Sequence, residues 1–354
     1  MVEAVSNALR SERMVLGESV FKFEEAFARY IGTKYAVSVS SGTAALALSL
    51  IAIGVNEREV ITTPLSFIAT ANAIVQAGGI PTFSDVSESD YNMDPKQVRG
   101  HLTKKTKALL PVHLFGQPAN MGELMEIAES RGLKVIEDAA QAHGATFGGK
   151  KVGSLGDAGC FSFYSTKNMT VGGDGGMVTT DDEDIARSVS KLRDCGRISR
   201  YVHDVIGFTA RLNTANAAFG LVQLRYLDEW NERRRAIAAL YSRLLKGESQ
   251  LALPPRGDKR IAPVYHLFAV KCQRRDELAK YLGAEGIECG VHYPLPIHLQ
   301  PVYREMYAYA PGAFPISESL SSSLLSLPMF PALSDDEVKS ICEHILGFYR
   351  GSSG

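Results

Sequence analysis

The 354-residue chain carries 38 Lys+Arg against 39 Asp+Glu, 45% hydrophobic and 22% charged residues, and a formal net charge of -1. These values exclude intrinsic disorder, which needs low hydrophobicity with high net charge, and they exclude the cationic field of a general nucleic-acid binder. The length predicts two domains with a large buried core.

From the N-terminus, Glu3, Arg10, Glu12 and Arg13 are dispersed along a weak helix pattern with no apolar signal-peptide core, so a cytoplasmic protein is expected. Between residues 35 and 200, short β-branched runs at 35–39, 60–63, 108–113 and 134–138 alternate with helix-period segments near 43–53, 66–77, 95–102 and 121–131. This predicts an α/β domain with a mainly parallel central sheet. Asp94 before Pro95 reads as an N-cap with proline at the first helical position, and Gly132 as a helix stop. Residues 35–56 and 60–84 are free of charge, yet Ser, Thr, Gly and Pro break both, so they are expected inside a soluble domain and not across a membrane. After Asp157, strand-like runs at 159–164 and 176–180 flank a glycine-rich loop. Ten of the 32 glycines fall between 144 and 176, which marks backbone passing close to something or adopting unusual dihedrals.

A long helical stretch over 214–245 then leads to a smaller α+β unit. Strands are predicted at 265–272 and 287–293 and helices at 275–285 and from Ser334, where Ser334-Asp-Asp-Glu337 forms a capping box. The predicted domains are 1–230, large, and 231–354, small. Residues 351–354, Gly-Ser-Ser-Gly, read as a flexible tail. Cys160, Cys195, Cys272, Cys289 and Cys342 are widely spaced without a C-x-x-C, so free thiols are expected and no metal site.

Three features carry candidate chemistry. In Ser40-Ser-Gly-Thr-Ala-Ala-Leu46 a strand ends and an apolar helix begins, a geometry in which free N–H groups, Gly42 and the Thr43 hydroxyl suit a phosphate. An ordinary hydroxyl cap explains the same residues. In Lys134-Val-Ile-Glu-Asp138 an apolar strand ends in a carboxylate at the sheet edge where α/β proteins bind ligands. Buried there, Asp138 needs a partner, and a charged ring nitrogen, a helix cap or an internal salt bridge would each serve. Lys167 follows the strand 159–164 beside the glycine loop, where partial desolvation would free its amine for a Schiff base, while an exposed loop lysine is the plain alternative. Together the three meet the needs of pyridoxal 5'-phosphate: a phosphate anchor, an acid for the ring nitrogen and an amine for the aldehyde.

The chain also resembles the DegT/DnrJ/StrS-type sugar aminotransferases of fold type I along nearly all of its length. The resemblance is carried by Ser40-Ser-Gly-Thr-Ala-Ala-Leu46, Pro64-Leu-Ser-Phe67, Pro111-Val-His-Leu-Phe-Gly-Gln117, Glu137-Asp-Ala-Ala-Gln141, Phe161-Ser-Phe-Tyr-Ser-Thr-Lys-Asn168, Gly173-Asp-Gly-Gly176 and Ala210-Arg-Leu-Asn-Thr-Ala-Asn-Ala-Ala218. It implies a large domain with a mainly parallel central sheet and a smaller C-terminal α+β domain. It implies that Lys167 is the Schiff-base lysine and Asp138 the partner of the pyridinium nitrogen. Gly42, Thr43 and Ser162 would hold the phosphate, Phe67 would stack on the ring and Gln141 would lie beside its 3-hydroxyl. L-glutamate would donate the amine and a nucleotide-linked keto-sugar would receive it, in a homodimer with shared active sites.

Thr209 aligns where relatives carry an Asn that reaches the neighbouring cofactor phosphate. Relatives also begin some residues earlier than Met1. Gly173-Asp-Gly-Gly176 with Ala210-Arg-Leu212 looks like the branch that aminates carbon 3 of sugars. His292, Tyr293 and His298, in one proline-bound loop, are the expected substrate contacts, with plain loop packing as the alternative. Two other readings are weighed. A sugar dehydratase of the same family would have His at the lysine position, and a non-catalytic regulatory homologue would not need Asp138 and Lys167 together.

Overall fold

The computed structural model describes residues 1–255 and 260–351, so of the expected tail only Gly351 is among them. Helices α1 (Val2–Ser11) and α2 (Glu18–Ile31) precede an alternating unit: β1 (Tyr35–Val39), α3 (Gly42–Ala52), β2 (Glu59–Thr62), α4 (Ala69–Gln76), β3 (Ile80–Phe83), α5 (Pro95–His101), β4 (Thr106–Leu109), α6 (Met121–Arg131) and β5 (Lys134–Asp138). A hairpin of β6 (Thr146–Phe147) and β7 (Lys150–Lys151) follows, then β8 (Ala158–Ser162), β9 (Gly176–Thr180) and α7 (Glu183–Leu192). One seven-stranded sheet runs in the order β1-β9-β8-β5-β4-β2-β3. Its pairs from β8 to β3 are parallel, and β9 is antiparallel to both neighbours. The expected α/β class with a mainly parallel sheet therefore holds.

Strands buried on both faces must be apolar throughout, which is why the charge-free runs lie here. On one face α3 packs Ala45, Leu46, Leu48 and Leu50 against Val37, Val39, Ile136 and Val178. The other face is covered by α2, whose Phe23 and Phe27 meet Phe161 and Phe163. The local signals act as expected. Asp94 accepts from the Lys96 N–H at 2.9 Å, and Gly132 ends α6 in the left-handed region at φ 62°.

The helix predicted over 214–245 is two helices, α8 (Thr214–Leu224) and α9 (Leu227–Leu244), which part at Arg225 and Tyr226. Beyond them come β10 (Leu251–Ala252), β11 (Ile261–Ala262), β12 (Phe268–Cys272), α10 (Arg275–Ala284), α11 (Pro301–Tyr307), α12 (Pro315–Ser323), β13 (Leu324–Leu327) and α13 (Asp335–Arg350). β10, β12 and β13 form an antiparallel sheet, packed with α9, α10 and α13 around Tyr241, Phe268, Leu325 and Ile345. The boundary proposed at 230/231 falls in the first turn of α9. Asn231 bonds back to His143 and Asn168, whereas Ile237 to Leu245 belong to the second core.

The strand predicted at 287–293 does not form. The segment makes only an isolated bridge, Gly290 to Ser326, and then runs into Pro294, which has no N–H to pair. The capping box at Ser334 and Glu337 is present. Among the described residues no helix is long and apolar enough to cross a membrane.

Candidate active site

β5 ends in two carboxylates that alternate across the sheet. Glu137 is fully spent on the far side, accepting from the backbone N–H groups of Gly153 (2.8 Å), Leu155 (2.7 Å) and Gly156 (2.8 Å), and bonding His113 Nε2 at 3.0 Å. The His113 Nδ1 accepts from the Ala119 N–H at 3.0 Å, so Nε2 carries the proton that Glu137 receives. Asp138 instead lines a cavity of about 570 Å³. Its oxygens accept from Thr70 Oγ1 at 2.8 Å and the Ala140 N–H at 3.2 Å, both neutral donors. Burial raises its pKa, against the opposing pull of Thr70, Ala140, Lys167 and His113. A cation arriving in the cavity would relieve this buried carboxylate.

The N-terminus of α3 forms another wall. Ser41 Oγ accepts from the Ala44 N–H at 3.1 Å and its carbonyl from the Ala45 N–H at 3.0 Å. Among the described residues no acceptor meets the Gly42 and Thr43 N–H groups, which stand at the positive end of the helix. Gly42 lies so close to β8 that an added Cβ would sit 2.7 Å from Ser162 Cβ. Gly42, Thr43 and Ser162 thus line the same cavity, with the two free N–H groups at the helix end.

Lys167 emerges from the loop between β8 and β9, partly buried, with its pKa lowered by burial against the opposing charge of Asp138. Phe67 is 55% exposed, because its ring faces the open cavity, 5.9 Å from the ring of Tyr293. Gln141 accepts from the Phe115 N–H at 2.6 Å and donates to the Tyr293 hydroxyl at 3.0 Å. Burial pushes that hydroxyl up to about 12, with Gln141 opposing. His292 bonds Ser326 Oγ at 3.0 Å, and burial, then the Lys167 charge, lowers its pKa.

The cavity therefore brings together Gly42, Thr43, Phe67, Asp138, Gln141, Ser162, Lys167, His292 and Tyr293. It does not include His298, the third expected substrate contact. The His298 ring is fully buried against Phe314, 4.8 Å between centroids, and bonds Glu318 at 3.0 Å. Thr209 also lies elsewhere, exposed, with its hydroxyl 3.4 Å from Cys195 Sγ. Further residues line the cavity without having been singled out for it, among them Ser66, Tyr164, Thr166 and His266. The first three sit inside quoted motifs, but nothing in the sequence around His266 marks it. Among the described residues no group of His, Cys, Asp or Glu is placed to hold a metal ion.

This donor set fits pyridoxal 5'-phosphate. An anion seat, a buried carboxylate without a cationic hydrogen-bond partner and a partly desolvated amine share one cavity of cofactor size.

A sequence profile described as the DegT/DnrJ/EryC1/StrS aminotransferase family matches residues 1–346. The chain is 41% identical to a pleiotropic regulatory protein of Geobacillus stearothermophilus, over 99% of this chain and 94% of the relative. It is 40% identical to a dTDP-3-amino-3,4,6-trideoxy-alpha-D-glucose transaminase of Streptomyces venezuelae, over 97% of this chain and 90% of that enzyme. The crystal structure of S. venezuelae DesV in complex with a ketimine intermediate superposes with a TM-score of 0.95 at 39% identity, covering 98% of this chain and 93% of that one.

Proposed function

This chain belongs to the DegT/DnrJ/EryC1/StrS aminotransferase family, and on that premise we propose that it moves an amino group from L-glutamate to a nucleotide-linked keto-sugar, with pyridoxal 5'-phosphate as cofactor. The observation that carries this reading is the convergence of Asp138, Lys167 and the α3 N-terminus on one cavity at the carboxyl edge of the parallel strands. When bound, the cofactor supplies an electrophilic aldehyde and a ring that accepts electrons. The Gly42 and Thr43 N–H groups and the Ser162 hydroxyl would hold its phosphate. Phe67 would cover the ring, Gln141 would hold the 3-hydroxyl, and Asp138 would keep the ring nitrogen protonated. Lys167 would hold the cofactor through its amine, and its Nζ would hold and move a proton beside the donor carbon.

His292 and Tyr293 line the entry from the small domain and meet the sugar. The Gly173-Asp-Gly-Gly176 sequence favours carbon 3 as the amination position, as does the relative whose product carries a 3-amino group. Thr209, exposed and outside its own cavity, is the residue we assign to the neighbouring site of a homodimer. The relative with a regulatory name supports a second reading, in which the fold is kept without turnover. An elimination enzyme is disfavoured by the Lys167 amine.

Purified protein supplied with the cofactor should gain a visible absorbance band that borohydride abolishes and that Lys167→Ala lacks. A colourless wild-type protein would sink the cofactor assignment. Glutamate with a panel of nucleotide-linked keto-sugars, read by mass and by the position of the new amine, then tests the reaction. Amine transfer to none of them leaves the regulatory reading. Asp138→Ala should keep part of its cofactor but lose turnover, and unchanged turnover would show that the strand-end acid has another role.

A further inference from the structure

Gln141, expected beside the cofactor's 3-hydroxyl, is bonded in a way that fixes the direction of each proton around it. Its Oε1 accepts from the Phe115 backbone N–H at 2.6 Å, and a backbone N–H can only donate, so the orientation of this buried amide is set. The other end, Nε2, can then only donate, and it does so to the Tyr293 hydroxyl at 3.0 Å. The Tyr293 oxygen is thereby an acceptor, and the single proton that it carries is left over. Among the described residues no acceptor meets that proton or the second proton of Gln141 Nε2.

Both side chains line the cavity together with Asp138, and the Tyr293 ring stands 5.9 Å from that of Phe67. Burial pushes the Tyr293 hydroxyl up to about 12, with Gln141 opposing and Asp138 adding to the shift, so the proton stays in place at neutral pH. The pair therefore offers the cavity two donors, one on each of two atoms 3.0 Å apart. An anionic oxygen suits such a pair best, because hydrogen bonds to a charged acceptor are about twice as strong as neutral ones. Of the polar groups on pyridoxal 5'-phosphate, the phosphate has the α3 N-terminus, the ring nitrogen has Asp138 and the aldehyde has Lys167. The 3-oxygen, which ionises readily and lies on one side of the ring nitrogen, is the acceptor still to be matched.

We propose that the Tyr293 hydroxyl, oriented by Gln141, donates a hydrogen bond to the cofactor's 3-oxygen and keeps that oxygen anionic. Gln141 then has two tasks, orienting Tyr293 and donating its second N–H to the same oxygen. A plain packing role for Tyr293 would need its ring and not its hydroxyl. The inference rests on the reading of pyridoxal 5'-phosphate as the cofactor, but it needs neither the Lys167 amine nor turnover.

Two probes test it on the full chain: 4-deoxypyridoxine 5'-phosphate, which has no aldehyde to react with Lys167, and the analogue of this compound that lacks the 3-hydroxyl. Wild type should bind the first more tightly than the second by about tenfold or more. Tyr293→Phe should lose most of that preference while binding the second probe as wild type does, a coupling between one hydroxyl on the protein and one on the ligand. The ultraviolet spectrum of the first probe, once bound, should report an anionic 3-oxygen at neutral pH. Its protonation midpoint should lie about one pH unit higher in Tyr293→Phe, because a hydrogen-bond donor favours the charged form. Equal losses on both probes would show that only the ring of Tyr293 matters and would overturn the proposal, as would an unchanged midpoint. If neither probe bound to wild type, the cofactor reading would fall and this inference with it. Binding of both without a difference would strike the inference and leave the cofactor reading standing.

Discussion

At the residue scale the site depends on space as much as on functional groups. Gly42 is helical, so its constraint is room: an added Cβ would meet Ser162 Cβ at 2.7 Å and Cα at 3.2 Å. Gly42→Ala should lift the α3 N-terminus from β8, cost about 1–3 kcal/mol of stability and weaken the cofactor about tenfold or more. Ser162→Gly in the same chain should return most of the stability but not the affinity, since it also removes a phosphate contact. Urea midpoints and cofactor titration check this, and a double variant no more stable than the single one would show that the clash is not the cause.

His143 gives a pH signature. Its ring lies between Phe161 and Phe163, 5.4 and 5.8 Å between centroids, and burial, then the Lys167 charge, push its pKa down to about 3. In the unfolded chain it titrates near 6.5. Folding stability from this ring is therefore complete above about 6.5 and is lost as pH falls toward 3, on the order of 5 kcal/mol in all. His143→Phe should flatten part of the decline in urea midpoint between pH 8 and pH 5, with His266, His292 and His298, whose pKa values burial also lowers, contributing to the remainder. An unchanged decline would mean that His143 is protonated without cost.

The residues visible in the sequence were those whose chemistry depends on a local pattern. Asp138 ends an apolar strand, Gly42 and Thr43 open a helix, and Lys167 sits beside a glycine loop. His266 escaped because its partner Asn168, and Asn231 beyond it, are distant in the chain and adjacent in space. His298 shares a proline-bound loop with His292, yet the two rings turn to different neighbours, His292 to Ser326 and His298 to Glu318.

At the element scale the same distinction holds. Helices with their own caps were legible, as at Asp94, Gly132 and Ser334. β3 was missed because Pro81 and the preceding Gly78 and Gly79 look like breakers, yet β3 is the last strand of the sheet, where proline is tolerated. α12 was missed because its cap comes from elsewhere. Its own N-cap residue, Phe314, offers no side-chain bond. Asp85, just after β3, accepts from the Ile316 and Ser317 N–H groups, both at 3.0 Å, and from the Ser317 hydroxyl.

This buried carboxylate joins the end of β3 to the N-terminus of α12, at the positive end of its helix dipole. Asp85→Ala should cost about 2–4 kcal/mol, because charged hydrogen bonds are lost and N–H groups are stranded in the interior. Asp85→Asn, which keeps one oxygen, should cost less. Ser334→Ala at the exposed cap of α13 should cost about 1 kcal/mol. Chemical denaturation orders the three, and Asp85→Ala no worse than Ser334→Ala would show that the borrowed cap carries little of α12.

At the scale of the whole molecule, a net charge of -1 is compatible with phosphate ligands because the anion seat is local, made of N–H groups and hydroxyls at one helix end. What a single chain leaves unexplained is the segment leading to Thr209, where Tyr201 is 79% exposed and Ile206 92%, beside exposed Ile198, Val202 and Phe208. So many exposed apolar side chains in one segment suit a second copy of the chain better than water. In the proposed homodimer each Thr209 serves the other chain's Lys167, and this arrangement has a test that a self-contained site would fail. Lys167→Ala should be inactive, and Thr209→Trp should be inactive because its bulk obstructs the neighbouring phosphate seat. If the two are mixed and allowed to exchange subunits, a mixed dimer holds one site with both defects and one with neither. Random exchange puts half the protein in mixed dimers, so activity should return to about one quarter of wild type. Were Thr209 to serve its own chain, every site in the mixture would carry one defect, and no activity would return.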